Sequence, residues 1–243
     1  MIFFHIFVPT TSHNAMKYLS FFILLFIGEL SVSAQHMFSR QFPFFNQLSS
    51  NEIFSIHQDR EGYFWIGTTN GLARYDGYQL NTFRTDYKNQ NLLTDNGITA
   101  INDNDLYVWI GTWKGLNLYN KQTCRITPFS DARLLDKVVD AITVDKDGNV
   151  WVSAGGMIYR CDSTAHIIKE YEVGNIQEGY AISNIYVDQQ KQLWAVGSRG
   201  IFRYEPETDS FFRYPPLGNG HTAYIMHQDS SCLLYTSPSP RDK

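Results

Sequence analysis

Four tryptophans recur at nearly equal intervals, and this repeat constrains the fold more than any other feature of the chain. Their spacings are 44, 42 and 43 residues, and the positions are Trp65, Trp109, Trp151 and Trp194. The segment that starts at each Trp aligns with the others without a gap, from Trp-Ile-Gly-Thr-Thr-Asn-Gly-Leu in the first copy to Trp-Ala-Val-Gly-Ser-Arg-Gly-Ile in the last. A period of about 40 to 50 residues is typical of propeller blades.

Each repeat predicts four short strands joined by turns. In the first copy the strands are expected near residues 52–57, 63–68, 72–75 and 79–84. An acidic residue stands six positions before each Trp, namely Asp59, Asp103, Asp145 and Asp188. We interpret this series as turn residues, because Asp hydrogen-bonds its own backbone and suits tight turns. A calcium ladder is the alternative, but the residues that follow each Asp vary too much for a shared ligand set.

The repeats predict an all-β protein, specifically a β-propeller with an incomplete ring. A four-stranded sheet of this length cannot bury both faces alone, whereas blades packed radially can, with the four tryptophans between neighbours. Four complete four-stranded blades are expected, followed by the start of a fifth from residue 222; the complete ones lie near 52–84, 97–129, 138–170 and 181–213. Residues 37–42 are a candidate outer strand that closes the ring.

The charge of the chain gives no sign of a nucleic-acid partner. The formal net charge is −4, and no long run of Lys or Arg is present. Proteins that bind nucleic acid usually concentrate positive charge on one face. We therefore expect this chain not to bind nucleic acid.

The beginning of the chain predicts export. Lys17, an apolar stretch over 19–27 and the small residues at 32–34 together form the pattern of a signal peptide over 16–34. A membrane anchor is the alternative, but Glu29 interrupts the stretch well before the roughly 20 apolar residues that a span needs. Residues 1–15 are then a mis-assigned upstream extension, and a periplasmic or other extracytoplasmic location follows.

The end of the chain interrupts a repeat. Residues 224–229 repeat the pattern of 54–59, so a fifth Trp is expected at position 235, where the sequence has Tyr235. Residues 232–243 resemble a translated sequencing adapter, and such segments are set aside before the fold is considered. A natural Pro-rich tail is the alternative. The propeller is therefore expected to occupy residues 35–231.

The first repeat carries the motif of a known family almost whole. The pattern Ile-x-x-Asp-x-x-Gly-x-x-Trp-Ile-Gly-Thr-x-x-Gly-Leu-x-x-Tyr-Asp, between Ile56 and Asp76, resembles the two-component regulator propeller repeat. The resemblance covers about residues 36–231 and extends to the periplasmic sensors of hybrid two-component systems found in Bacteroidetes. The third repeat departs most, with Ser153 and Ala154 in place of Gly-Thr and Cys161 in place of Tyr.

The resemblance implies a function in signalling. By that analogy the chain is the N-terminal part of the ligand-sensing propeller of a hybrid histidine kinase, which responds to oligosaccharides or glycans. Its partners are then the ligand, the missing blades and kinase module of an inner-membrane parent, and a second copy in a homodimer. The alternative is a free-standing exported propeller, either a binding protein or a propeller lyase.

Catalytic and metal motifs find little support in the residues. His57 and His227 hold equivalent repeat positions, which indicates a structural role in the blade. Cys124 and Cys161 stand in different repeats without the spacing of a zinc site, and Cys232 falls in the adapter segment. We predict no catalytic residue, no metal and no cofactor in this part of the chain.

A binding site is expected on one face of the ring. In a propeller the turns between the second and third strands share a face with the blade-to-blade connections, here 87–96 and 215–221. An aromatic residue beside cations suits an acidic or sulfated sugar. The candidate ligand-binding residues are Asn70, Trp113, Lys114, Ser198 and Arg199. For any single one of them, a solvated loop position is the alternative.

Overall fold

The computed structural model describes residues 44–85, 93–173, 182–198 and 200–214, together with the backbone of strands 223–228 and 234–238. All of these belong to one compact unit, Pro43–Lys243. The upstream extension, the signal peptide and the candidate closing strand at 37–42 lie outside the described residues.

Strands account for nearly all of the regular structure. They are β1 (Ile53–Gln58), β2 (Phe64–Thr68), β3 (Gly71–Tyr75), β4 (Leu80–Phe83), β5 (Ile98–Asp103), β6 (Tyr107–Thr112), β7 (Gly115–Asn120), β8 (Arg125–Pro128), β9 (Val139–Val144), β10 (Val150–Ala154), β11 (Met157–Cys161), β12 (Ile167–Glu172), β13 (Ile182–Val187), β14 (Leu193–Gly197), β15 (Gly200–Glu205), β16 (Ser210–Arg213), β17 (Ala223–Gln228) and β18 (Leu234–Pro238). Two single 3-10 turns, Phe45–Gln47 and Ala132–Leu134, complete the described elements.

The strands form four antiparallel sheets of four, and each sheet is a meander in chain order. These sheets are the four predicted blades, so the predicted propeller is confirmed. The ring is not closed by the described blades. Strand ends in the first blade fall within two residues of the predicted ones.

The first strand of each blade is the inner one, and neighbouring inner strands lie side by side around the axis. The inner strands of blades 2, 3 and 4 each direct two aliphatic residues into the blade before them. Ile98 and Ile101 pack into the cluster that contains Trp65. The corresponding pairs, Val139 with Ile142 and Ile182 with Ile185, pack into the clusters of blades 2 and 3. The core therefore runs through the seams between blades.

A glycine after the Trp-Ile pair lets neighbouring blades approach closely. A Cβ atom on Gly67 would lie 2.6 Å from Cγ2 of Ile98, and one on Gly111 would lie 2.7 Å from Cγ1 of Val139. Blade 3 has Ser153 at this place, and its hydroxyl donates to the Ile182 carbonyl at 3.1 Å. Blades 1, 2 and 3 thus place a small residue where the next inner strand crosses.

Strands β17 and β18 pair as the first two strands of a blade do. His227 stands opposite Tyr235, just as His57 stands opposite Trp65. Strand β18 falls in the segment 232–243 that resembles an adapter, and that origin remains a prediction. Among the described residues, no helix is both long and apolar enough to cross a membrane.

Candidate functional site

A buried hydrogen bond joins the repeat's Asp to its Trp in three blades. In blade 1, Oδ1 of Asp59 accepts the backbone N–H groups of Glu61 and Tyr63 at 3.0 and 2.9 Å, which closes the turn. Its other oxygen accepts Nε1 of Trp65 at 2.7 Å. The same pairs occur at 2.8 and 2.9 Å in blades 3 and 4, Trp151 with Asp145 and Trp194 with Asp188. The predicted turn role is confirmed there, and the bond to Trp adds a second role.

Blade 2 departs from this arrangement. Asn104, not Asp103, closes the turn, since its side-chain oxygen accepts the backbone N–H groups of Leu106 and Tyr107 at 3.0 and 2.8 Å. The predicted equivalence of Asp103 with Asp59 is therefore wrong, because this turn is one residue shorter. The Asn104 amide nitrogen is a donor and bonds the Ser163 carbonyl at 3.1 Å. Nε1 of Trp109 is consequently buried without a hydrogen-bond partner in the described part of the chain.

Asp103 instead joins two blades through a charged cluster. Its oxygens lie 2.7 Å from Nε2 of His57 and 2.7 Å from Nζ of Lys121, and the side chains of Asp103 and Lys121 are only 4% and 5% exposed. Burial alone would raise the pKa of Asp103, but the hydrogen bonds from His57 and Lys121 hold that pKa at about 2. The cluster links strand β1 of blade 1 to blade 2, which agrees with a structural role for His57.

Two of the predicted binding residues lie together on the connection face, which we define as the face that carries the β2–β3 type turns. Trp113 is 43% exposed, and its ring rests on Gly97, where a Cβ atom would lie 2.4 Å from Cε3. The side chain of Lys114 is 65% exposed, with Nζ 4.0 Å from Oδ2 of Asp95. An exposed aromatic ring and a solvated cation are thus adjacent.

The other predicted binding residues are placed differently. The Asn70 side chain donates to the Ser49 carbonyl at 3.3 Å and accepts from Arg84 at 2.5 Å, so both ends of its amide are engaged within blade 1. Ser198 is half-buried in the corresponding turn of blade 4. Arg199 and the connection 215–221 lie outside the described residues, as do 86–92. Trp113 and Lys114 are therefore the pair that the structure brings together.

The inner strands add two residues that the repeat pattern did not single out. Phe54 is 56% exposed and lies edge-on to Trp113, with ring centroids 6.2 Å apart. Asp140 holds the matching position on β9, where burial raises its pKa to about 6. Thr99 holds it on β5. An alignment of the repeats could have identified this position, since each of these residues follows the aliphatic residue that opens its inner strand.

The fold and its seams define a class of protein, a β-propeller built from Trp-anchored repeats. Within that class, residues 47–70 match the family model described as two component regulator propeller. The match falls on the repeat with the most complete motif, and it confirms the predicted resemblance to that repeat over these residues. No curated protein sequence matches the chain significantly.

Solved structures share the fold at low sequence identity. One is the extracellular domain of a putative one component system of B. thetaiotaomicron, with 20% identity and a TM-score of 0.62 over 77% of this chain and 26% of that one. Another is the extracellular domain of a putative hybrid two component system of the same organism, with 17% identity and a TM-score of 0.53 over 79% and 31%. A third is virginiamycin B lyase from Staphylococcus aureus, with 17% identity and a TM-score of 0.62 over 76% and 62%. The chain thus spans less than two thirds of each.

Proposed function

We propose that this chain is the N-terminal part of the ligand-sensing propeller of a membrane-bound hybrid two-component histidine kinase. The observation that carries the proposal is the regulator propeller repeat at residues 47–70. The likeness of fold to extracellular domains of one component and hybrid two component systems supports it. On this proposal the propeller works outside the cytoplasm, and the kinase module belongs to the same parent protein.

The gene itself tests this proposal. The reading frame should be followed past codon 231 in intact genomic DNA of the source. Further repeats, then a membrane helix and a histidine kinase, are expected. A stop codon after six to eight blades, with no membrane helix, would instead establish a free-standing exported propeller.

The ligand proposed for the connection face is an acidic or sulfated oligosaccharide. Trp113 offers a partly exposed ring to the CH face of a sugar, and Lys114 offers a cation to its anionic group. Asn70, Ser198 and Arg199 remain candidates. Because a propeller is stiff, binding transmits a signal only if it favours one arrangement of two sensors over another.

Calorimetric titration tests the ligand class. The double change Trp113→Ala and Lys114→Ala in the full-length parent should weaken binding of acidic oligosaccharides by about tenfold or more, because a charged hydrogen bond and a stacking surface are lost. Tyr78→Ala is the control, since Tyr78 is 90% exposed in a β3–β4 type turn, at the opposite end of blade 1. Unchanged affinity together with a lower melting temperature would make the pair structural.

A propeller lyase is the second candidate, and the similarity to virginiamycin B lyase favours it. One similar structure is that of a catalytically inactive variant of that lyase with quinupristin. Quinupristin incubated with this chain should remain intact if the sensor proposal holds. A cleavage product detected by mass spectrometry would favour the lyase.

A further inference from the structure

Two seams between blades, those after blades 1 and 3, contain an arginine in the same place. The residue paired across the strands with each blade's Trp is Arg in three blades, namely Arg74, Arg160 and Arg203. The Arg74 guanidinium lies 4.9 Å from the ring centre of Tyr63 and donates to the Tyr119 hydroxyl at 2.6 Å. The Arg160 guanidinium lies 5.5 Å from the Trp151 ring. The arginine therefore packs on the tryptophan and fills the outer part of the seam.

A tyrosine from the following blade completes the filling. Tyr119 of blade 2 lies edge-on to Trp65, with centroids 4.8 Å apart. Tyr204 of blade 4 lies edge-on to Trp151 at 4.9 Å and at the same interplanar angle of 62°. The seams between blades 1 and 2 and between blades 3 and 4 therefore share one arrangement.

The seam between blades 2 and 3 lacks the arginine, the tyrosine and the acid that accepts from the Trp indole. Leu118 stands opposite Trp109 in place of the arginine. Cys161 replaces the tyrosine and packs with Leu118 in the same buried cluster. Asn104 replaces the acid that would accept from Trp109. Each replacement is shorter or lacks charge, so the outer part of this seam is left less filled than the others.

A groove of about 500 Å³ lies where the arginine would be. Its walls are Tyr107, Leu118, Asn120, Thr123, Arg125 and Thr127. Leu118 and Thr127 are paired with Trp109 across neighbouring strands. Two residues further along the strands, the paired residues are Tyr107, Asn120 and Arg125. Thr123 places the groove toward the β7–β8 turn, away from the turn that carries Trp113. The groove is therefore separate from the connection face.

The groove presents donors for an anion beside an apolar wall. Arg125 is exposed and forms no ion pair with any described residue. The Asn120 side-chain oxygen is already engaged by the backbone N–H groups of Gln122 and Thr123 at 3.0 and 2.9 Å, which leaves its NH₂ group as a donor. Tyr107 and Leu118 form the apolar side. The volume lies within the range of about 300 to 1,000 Å³ that is typical of small-molecule sites.

We propose that this groove binds a small anionic ligand about the size of a mono- or disaccharide. Its negative group meets Arg125, and its ring packs on Tyr107. The inference deepens the proposed sensing function, on which it rests for the ligand class, and assigns the ligand to blade 2, on the face that packs against blade 3. Blades 1 and 3 exclude such a ligand because Arg74 and Arg160 occupy the corresponding space.

The test introduces at position 118 the arginine that the other three blades carry opposite their Trp. Saturation-transfer NMR should detect galacturonic acid on the full chain, and galactose only weakly. Leu118→Arg should abolish the transfer because its longer, charged side chain occupies the groove, and circular dichroism checks that the variant is folded, since Leu118 is only 8% exposed. Arg125→Gln should weaken galacturonic acid binding by about tenfold, the effect of losing one charged hydrogen bond. Arg60→Gln is the control, since Arg60 is a half-exposed cation of blade 1 that does not line the groove.

The outcomes separate this inference from the proposed function. The proposed ligand site is overturned if saturation transfer to galacturonic acid persists in a folded Leu118→Arg variant. It is also overturned if the unmodified chain shows no transfer. Transfer lost only in Trp113→Ala assigns the ligand to the connection face and also overturns it. If Leu118→Arg does not fold, Thr127→Tyr on the outer strand fills the groove from its other wall, with the same expected loss. Failure of the kinase proposal would show in the gene and not in these spectra.

Discussion

At the scale of single residues, the tryptophans differ in whether their indole N–H donates to an acid. Trp65 is fully buried and donates to Asp59, whereas Trp109 is fully buried and its Nε1 has no partner among the described residues. The repeat pattern alone could not distinguish them, because both are preceded by an acid at six residues. The difference arises because the turn between β5 and β6 is one residue shorter than the turn between β1 and β2. The spacing from acid to Trp is six residues in both blades, so it does not reveal the deletion.

Substitution of each Trp by Phe separates packing from hydrogen bonding. Trp65→Phe leaves a buried Asp59 oxygen without its donor, so it should reduce the free energy of unfolding by about 1–3 kcal/mol more than Trp109→Phe does. Both variants lose a similar volume, which makes Trp109→Phe the matched control. Urea unfolding monitored by circular dichroism measures the difference. Equal losses would mean that the indole bonds contribute little.

The cluster of Asp103 with Lys121 and His57 predicts an acid-sensitive seam. Asp103→Asn leaves Lys121 buried with a weaker partner and should cost about 2–4 kcal/mol. Asp105→Asn, at a neighbouring side chain that is 82% exposed, should cost less than about 0.5 kcal/mol. Denaturant midpoints of the two variants provide the measurement.

The same cluster fixes the direction of the pH effect. Because folding lowers the pKa of Asp103 from 3.8 to about 2, its stabilisation is complete above pH 3.8 and disappears as the pH falls toward 2. The stability difference between the unmodified chain and Asp103→Asn should shrink over that window. A difference that stays constant would show that Asp103 is not paired in the folded state.

At the scale of strands and turns, the sequence predicts the architecture well and the contacts poorly. The alternation of apolar runs with Asp and Gly turns is local, and it located the strands of blade 1 within two residues. Contacts across a seam join residues about one repeat apart, so no local pattern reveals them. The contact between Phe54 and Trp113 is of this kind. The repeat pattern predicted Trp113 as a candidate binding residue but did not predict Phe54 as its neighbour.

Close packing of strands predicts a strong effect at Gly111. Gly111→Ala brings a Cβ atom against Val139, which is fully buried, and should cost about 1–3 kcal/mol as an overpacked core does. In a chain that already carries Val139→Ala, Gly111→Ala should cost less, because the contact with Cγ1 of Val139 is gone. Ser153→Ala at the equivalent place in blade 3 should cost only about 1 kcal/mol, the value of its hydrogen bond. Chemical unfolding of the unmodified chain, both single variants and the double variant measures the coupling, with Ser153→Ala measured beside them; costs of the two changes that simply add would contradict the close approach.

At the scale of the whole molecule, no other described blade packs against the side of the first blade that faces away from blade 2. Ile53 and Ile56 hold the positions that Ile98 and Ile101 hold in blade 2, as their strand registers show. In blade 2 these residues are 0% and 6% exposed, whereas Ile53 and Ile56 are 38% and 63% exposed, and Phe54 beside them is 56% exposed. An apolar face of this kind is normally covered by the next repeat of the array.

The uncovered face predicts self-association of the chain as it stands. Contact between two such faces removes apolar surface from water, at about 25 cal/mol per Å² buried, so the chain should form dimers or larger species at micromolar concentration. Ile56→Lys should shift the population toward monomer, because a charge at the centre of the face opposes its burial. Ile168→Lys is the control, since Ile168 is 54% exposed on the outer strand of blade 3. Sedimentation velocity over a concentration series distinguishes them. A monomer at all concentrations, with one sharp thermal transition, would show that the face of blade 1 is covered within the chain itself and that the ring closes without further repeats.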